Sequence, residues 1–143
     1  MTAFEVLKLL EAQIRRHCSA IKTVTAPSSV HEKGVTARLA IKKVIPANNR
    51  EYANKTVEFR LAVSGTVESQ KGLELATSAI ETLDAYFGTR NLHLEDSEGK
   101  PIANSRITQR LSEEDSLLDN PYETGVQEVF DERILSVQIG GRG

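Results

Sequence analysis

Chemistry in this chain would have to come from three histidines, one cysteine and a few acidic runs. His17 and Cys18 are neighbours, and a Cys–His pair is the raw material of nucleophilic catalysis. Adjacent residues on a helix, however, point about 100° apart, so the two do not face each other, and Cys18 reads as a small core residue. His31 and His93 have no Cys, His or carboxylate at established ligand spacing, which argues against a zinc site. Asp96-Ser-Glu-Gly-Lys100 has the Asp and Gly of a calcium loop but lacks the remaining ligands and the closing Glu, so it reads as a hairpin turn. Glu113-Glu-Asp115 offers half of an acid/base pair without a partner, the usual look of a solvated run. Gly140-Gly-Arg-Gly143 has neither a following helix nor a Lys-Ser/Thr, so it reads as a flexible end rather than a phosphate loop. No catalytic, metal-binding or cofactor-binding residue emerges, and the expectation is a protein that is not an enzyme and needs no cofactor.

At 143 residues the chain is long enough for one domain with one core and too short for two ordinary ones, so residues 1–143 are read as a single domain. Aromatics are 5% with no Trp, so the core must be built from Leu, Ile, Val and Ala. A net charge of -2 gives no footprint for wrapping nucleic acid. A single Cys excludes a disulfide framework and fits a reducing compartment. No run approaches the roughly 18 apolar residues of a membrane span, and the start does not read as a signal peptide, so a cytoplasmic site of synthesis is expected.

Thr2-Ala-Phe-Glu5 is a capping box, and Leu7, Leu10, Ile14 and Cys18 follow at helical spacing, with Phe4 and Val6 widening the stripe. This predicts a helix to about Ser19. Thr23-Val-Thr-Ala-Pro-Ser-Ser29 reads as a linker. Val35, Ala37, Leu39 and Ile41 alternate with polar residues up to a stop at Pro46, and Val57, Phe59, Leu61 and Val63 alternate likewise, predicting an antiparallel pair joined by a long loop. A second helix carries Leu73, Ala76, Ile80, Leu83 and Phe87, with Gly88 at its C-terminal cap. Asn91–Leu94 and Ser105–Leu111 are strand candidates, and Ser112–Thr124 is a long polar connection. The order α-β-β-α-(β)-β-β predicts an α+β domain with two helices packed on one face of a largely antiparallel sheet.

The last run, Gly125 to Gly140, reads as one long strand in two halves. Val129, Asp131, Arg133, Leu135, Val137 and Ile139 share one face, and the second half is plainly a core strand. The first half is charged on both faces, as at an edge or where a strand outruns its sheet. Arg38, Lys42, Lys43 and Arg50 form a basic group on the earlier strands, a wet sheet face that could also be a subunit contact.

This layout, with Phe130-Asp-Glu-Arg133 ahead of Leu135-Ser-Val-Gln-Ile139, resembles the tail terminator and neck (tail completion) proteins of tailed bacteriophages. Glu132-Arg133 would be the matching pair, and Tyr122-Glu123 before it would belong too. The resemblance implies a structural subunit without catalytic residues or cofactor. Such a subunit assembles into a ring, a hexamer in that family, which caps the tail tube, stops its polymerisation and offers a docking face to the head. The implied partners are further copies of the chain, the tail tube protein and a head–tail connector protein, with no nucleic-acid or membrane contact. The implied location is the virion tail or neck, after assembly in the host bacterial cytoplasm. Arg38, Lys42, Arg50, Asp131, Glu132 and Arg133 are the expected contact residues, and charge reversal at Arg133 is expected to weaken assembly more than folding. The alternatives are another phage morphogenesis role, such as head completion, connector or tube protein, or a small cytoplasmic ligand-binding α+β domain.

Overall fold

The computed structural model of the chain describes residues 1–25, 34–46, 54–111 and 127–140. Helix α1 spans Ala3–His17, and its start is the capping box read from the sequence: Thr2 accepts from the Glu5 amide at 3.1 Å while Glu5 reaches back to the Thr2 amide. The helix stops two residues earlier than expected, with Cys18 as its cap. Val6, Leu7, Leu10 and Ile14 are buried as the stripe required, but so is Gln13, and Phe4 stands 61% exposed instead of widening the stripe.

Five strands follow: β1 (Lys22–Thr25), β2 (Val35–Ile45), β3 (Asn54–Val67), β4 (Ser105–Leu111) and β5 (Gln127–Gly140). They form one sheet in the order β1-β2-β3-β5-β4. β2 and β3 pair antiparallel as expected, from Val35↔Gly65 to Ile45↔Thr56, with an irregularity between Ile41 and Lys43. β5 pairs antiparallel with β3 along its whole length and with β4 only from Arg133 onward. Two features depart from the sequence reading. The stretch that reads as a linker begins within β1, a four-residue strand parallel to β2, with Thr23 paired to Ala37. Asn91–Leu94 joins no ladder; instead an isolated antiparallel bridge links Glu95 to Pro101.

Helix α2 (Gln70–Phe87) begins at Ser69, whose hydroxyl accepts from the Gly72 amide at 3.0 Å, and ends at Gly88. Both helices lie on one face of the sheet. The core beneath them joins Leu7, Leu10 and Ile14 of α1 and Ala79, Leu83 and Phe87 of α2 to Ala37, Leu39, Phe59, Leu61, Val63, Leu135 and Val137. Period-two alternation explains which strand residues these are, since all share one phase across the register. At Val35↔Gly65, where the β2–β3 pairing ends, Gly65 adopts φ +153, and a Cβ there would lie 2.1 Å from the Gly34 carbonyl oxygen, so the close approach of the two chains requires a glycine.

Candidate assembly surface

The phase that buries Leu135 and Val137 also turns Arg133 toward the helices, where it is 1% exposed. Its guanidinium is held by three elements: Nη1 donates to Asp84 Oδ1 of α2 at 3.3 Å and to Gln109 Oε1 of β4 at 3.0 Å, and Nη2 donates to Asp131 Oδ2 at 2.7 Å. Gln109 in turn donates to the Asp84 carbonyl at 3.0 Å. Asp84, 61% exposed, carries this cluster to the surface, and Gln109 and Asp131 are partly exposed. Arg133 is therefore an internal strut between α2, β4 and β5. Reversing its charge is expected to cost folding stability in its own right, whatever it does to assembly, because a buried ion cannot be left unpaired.

A second polar network ties α1 to the segment between α2 and β4. Buried Gln13 donates to Tyr86 Oη at 2.8 Å and to the His93 carbonyl at 3.0 Å, and accepts from the Glu95 amide at 2.8 Å. The Glu95 carboxylate is gripped by Arg16 at 3.0 Å and by His17 at 2.8 Å, while the His17 ring stacks on Tyr86 with centroids 4.6 Å apart. His93 hydrogen-bonds the Ser105 carbonyl at 2.6 Å. Two of the three histidines thus serve as structural posts, and no group of three or more His, Cys, Asp or Glu suited to a metal occurs among the described residues. In the Asp96 turn, Oδ1 accepts from the Glu98 and Lys100 amides at 2.9 and 3.0 Å, with Gly99 at φ +83, which makes it the hairpin turn read from the sequence. Those backbone bonds, led by that from Lys100, hold the Asp96 carboxyl below its usual range.

Cys18 is buried, and that burial pushes its thiol above the ordinary value, with the nearby Arg133 guanidinium pulling weakly the other way. A raised thiol is mostly protonated at neutral pH, so nucleophilic use of the His17-Cys18 pair is disfavoured. In the native protein Cys18 is expected to react with Ellman's reagent on the order of tenfold or more slower than in the urea-unfolded chain. Equal rates would mean that the thiol is exposed and the packing of α1 misread.

The opposite face of the sheet carries charges in cross-strand pairs. Arg60 meets Glu132 at 3.3 Å and Arg110 meets Glu58 at 3.3 Å. Arg60, Ile134 and Arg110 are register neighbours across β3, β5 and β4, so the two arginine stems flank Ile134, which is buried although it points away from the helices. Arg38, half-buried, lies in the row Arg38↔Ala62↔Glu132 on this face. Lys42 is exposed at the irregularity of β2, and Asp131 faces the helices and is bound to Arg133. The expected contact set is thus divided: Arg38, Lys42 and Glu132 lie away from the core, whereas Asp131 and Arg133 belong to the internal cluster. Arg50, His31, Glu113-Glu-Asp115, Tyr122-Glu123, the Ser112–Thr124 connection and residues 141–143 lie outside the described residues.

The outer strands are guarded. The Thr23 carbonyl of β1 accepts from Arg15 Nε and Nη2 at 3.1 and 2.9 Å. The Ile107 amide of β4 donates to the Leu92 carbonyl at 2.8 Å. Beside α2, against Ala20–Ile21 and the Gly34–Val35 and Gly65–Glu68 stretches, lies a groove of about 620 Å³ lined by Ile21, Val35, Val67, Leu75, Ala76 and their neighbours, with Thr66 and Glu68 among its polar members. This is an apolar trough rather than a pocket with convergent polar groups, so it gives little support to a ligand-binding domain.

No protein-family model matches the chain, and no curated protein matches it. Among solved structures it is similar to a chain from the virion of a native gene transfer agent particle, with 14% sequence identity and a TM-score of 0.48, over 96% of this chain and 93% of that one. No helix among the described residues is long and apolar enough to cross a membrane.

Proposed function

We propose that the protein is a non-enzymatic structural subunit of a phage or prophage tail, one that assembles head to tail into a ring, caps the tail tube, stops its growth and joins tail to head. The sequence layout that resembles tail terminator and neck proteins suggests this role. The observation that carries it is the charge polarity of the sheet. The β2 flank holds exposed Lys42 and Lys43 beside half-buried Arg38, and the far end of β5 holds exposed Glu128, with Glu132 nearby on the face away from the helices and bound to Arg60. A self-complementary contact sets a patch against its own copy, whereas a head-to-tail contact brings unlike flanks together and closes into a ring where the rotation allows. The tail tube protein and a head–tail connector protein are the further partners of this reading, and the virion tail or neck its location. Light scattering over a range of concentrations, alone and with purified tail tubes, tests it: a ring-sized species that dissociates as salt rises is expected. A strict monomer under every condition would remove the proposal.

A further inference from the structure

We infer that two staggered half-edges of the sheet, Lys42–Ile45 of β2 and Gln127–Glu132 of β5, are the complementary edges through which one copy of the chain adds strand to strand onto the next. This rests on the ring reading above and deepens it by naming the contact. β1 pairs with β2 only over Thr36–Leu39, so beyond Ile41 the outer side of β2 has no strand beside it among the described residues. β4 pairs with β5 only from Arg133 onward, so among the described residues Gln127–Glu132 has a strand on one side alone. Unpaired backbone amides and carbonyls are a template for another chain, and proteins commonly blunt them. Here the blunting is selective. β1 is four residues long with Arg15 on its Thr23 carbonyl, and the Ile107 amide of β4 is taken by the Leu92 carbonyl, while no strand among the described residues lies beside the two inner half-edges.

Charge and direction favour a second copy as the occupant. Lys42 and Lys43 sit on one open edge and Glu128 on the other, all three exposed or projecting from exposed backbone and making no ion pair among the described residues. Asp131 and Glu132 add negative charge near Glu128 while bound within the chain. The basic edge also exposes Ile41, Val44 and Ile45, apolar area that a solitary edge strand would leave wet. β2 and β5 are both antiparallel to β3, so they run in one direction, and copies in like orientation would pair them parallel, as β1 already pairs with β2. Val44 faces Val57 and Phe130 faces Ser64, so the open stretches lie seven residues apart along β3. Successive copies are then offset along the strands by roughly 24 Å, which lets β1 of one copy and β4 of the next occupy different levels instead of colliding.

Three charge variants test the pairing: K42E/K43E, E128K and the combined K42E/K43E/E128K chain, each checked for native circular dichroism and compared with wild type by light scattering. Each edge variant alone is expected to need on the order of tenfold higher concentration to assemble. An equimolar mixture of K42E/K43E with E128K, and the combined chain, are expected to assemble like wild type, because unlike charges again face each other. Wild-type assembly with edge variants that behave identically to it, or with a mixture that stays dispersed, overturns the strand pairing and leaves the ring standing. Wild type that remains monomeric even with tail tubes overturns the ring reading and the pairing with it.

Discussion

Arg133→Ala is expected to lower the unfolding free energy by about 3–5 kcal/mol, the usual cost of removing one partner of a buried ion pair. The loss falls on Asp131, whose side chain is 16% exposed and would keep its charge without the 2.7 Å bond from Nη2, and on Gln109, which would lose a charged donor. Asp84 contributes little, because at 61% exposed it returns to water. In a domain of this size the change corresponds to a drop in Tm of roughly 6–20 °C, measurable by thermal or urea unfolding. Arg133→Glu sets a third acid beside Asp131 and Asp84 and is expected not to fold. The double change Arg133→Met with Asp131→Leu, which removes both charges, is expected to recover most of the stability. An Arg133→Ala protein within 1 kcal/mol of wild type would show that the strut is dispensable.

Gln13→Leu is the second large effect. The side chain keeps its volume but drops three hydrogen bonds, leaving the Glu95 amide and the His93 carbonyl without their partner beneath α1. Each buried group left unsatisfied costs about 1–3 kcal/mol, so a total near 3 kcal/mol is expected. The effect should also be local. Hydrogen exchange at the Glu95 amide is expected to accelerate well beyond that of amides in β3, because the segment from Leu92 to Glu95 is tied to α1 through Gln13, Arg16 and His17. Exchange unchanged at Glu95, with stability unchanged, would mean that water replaces the side chain without loss.

These two residues also mark how far the fold was legible. Capping, helical stripes and period-two alternation located α1, α2, β2, β3 and β5, because each is long enough for its pattern to repeat. β1 was missed because four residues, two of them Thr and followed by Pro27, carry no period, and their strand character comes from pairing with β2. Asn91–Leu94 went the other way: its apolar residues pack in the core, but Gln13 and Ser105 take up backbone groups that a ladder would use. Arg133 was assigned correctly to the face of Leu135 and Val137, and that phase was the signal for its burial, yet the charge argued for the surface. Two of its three acceptors come from α2 and β4, 49 and 24 residues away, which local pattern cannot see. Gln13 stands three residues after Leu10 within the stripe, and the same spacing rule would have flagged it as a buried polar group in need of partners. The charged first half of β5 reads as a strand that outruns its sheet or lies at an edge; it does not outrun the sheet, since it pairs with β3 from Gln127 onward, and among the described residues no strand lies on its other side.

The sheet order departs from chain order at one place: β5 is made after β4 yet lies between it and β3. Strands that meet across such sequence distances form late, because loop closure must precede the contacts that reward it. Until β5 inserts, β4 has no ladder, β3 presents a bare side 14 residues long, and the Asp84–Gln109 site lacks its cation. Both of the open half-edges owe their surroundings to the finished sheet, since one belongs to β5 itself and the other to the strand that β3 supports. Folding therefore acts as a timer: the surface that recruits a neighbour is completed by the same strand that completes the subunit, and a half-made chain has no acidic edge to offer.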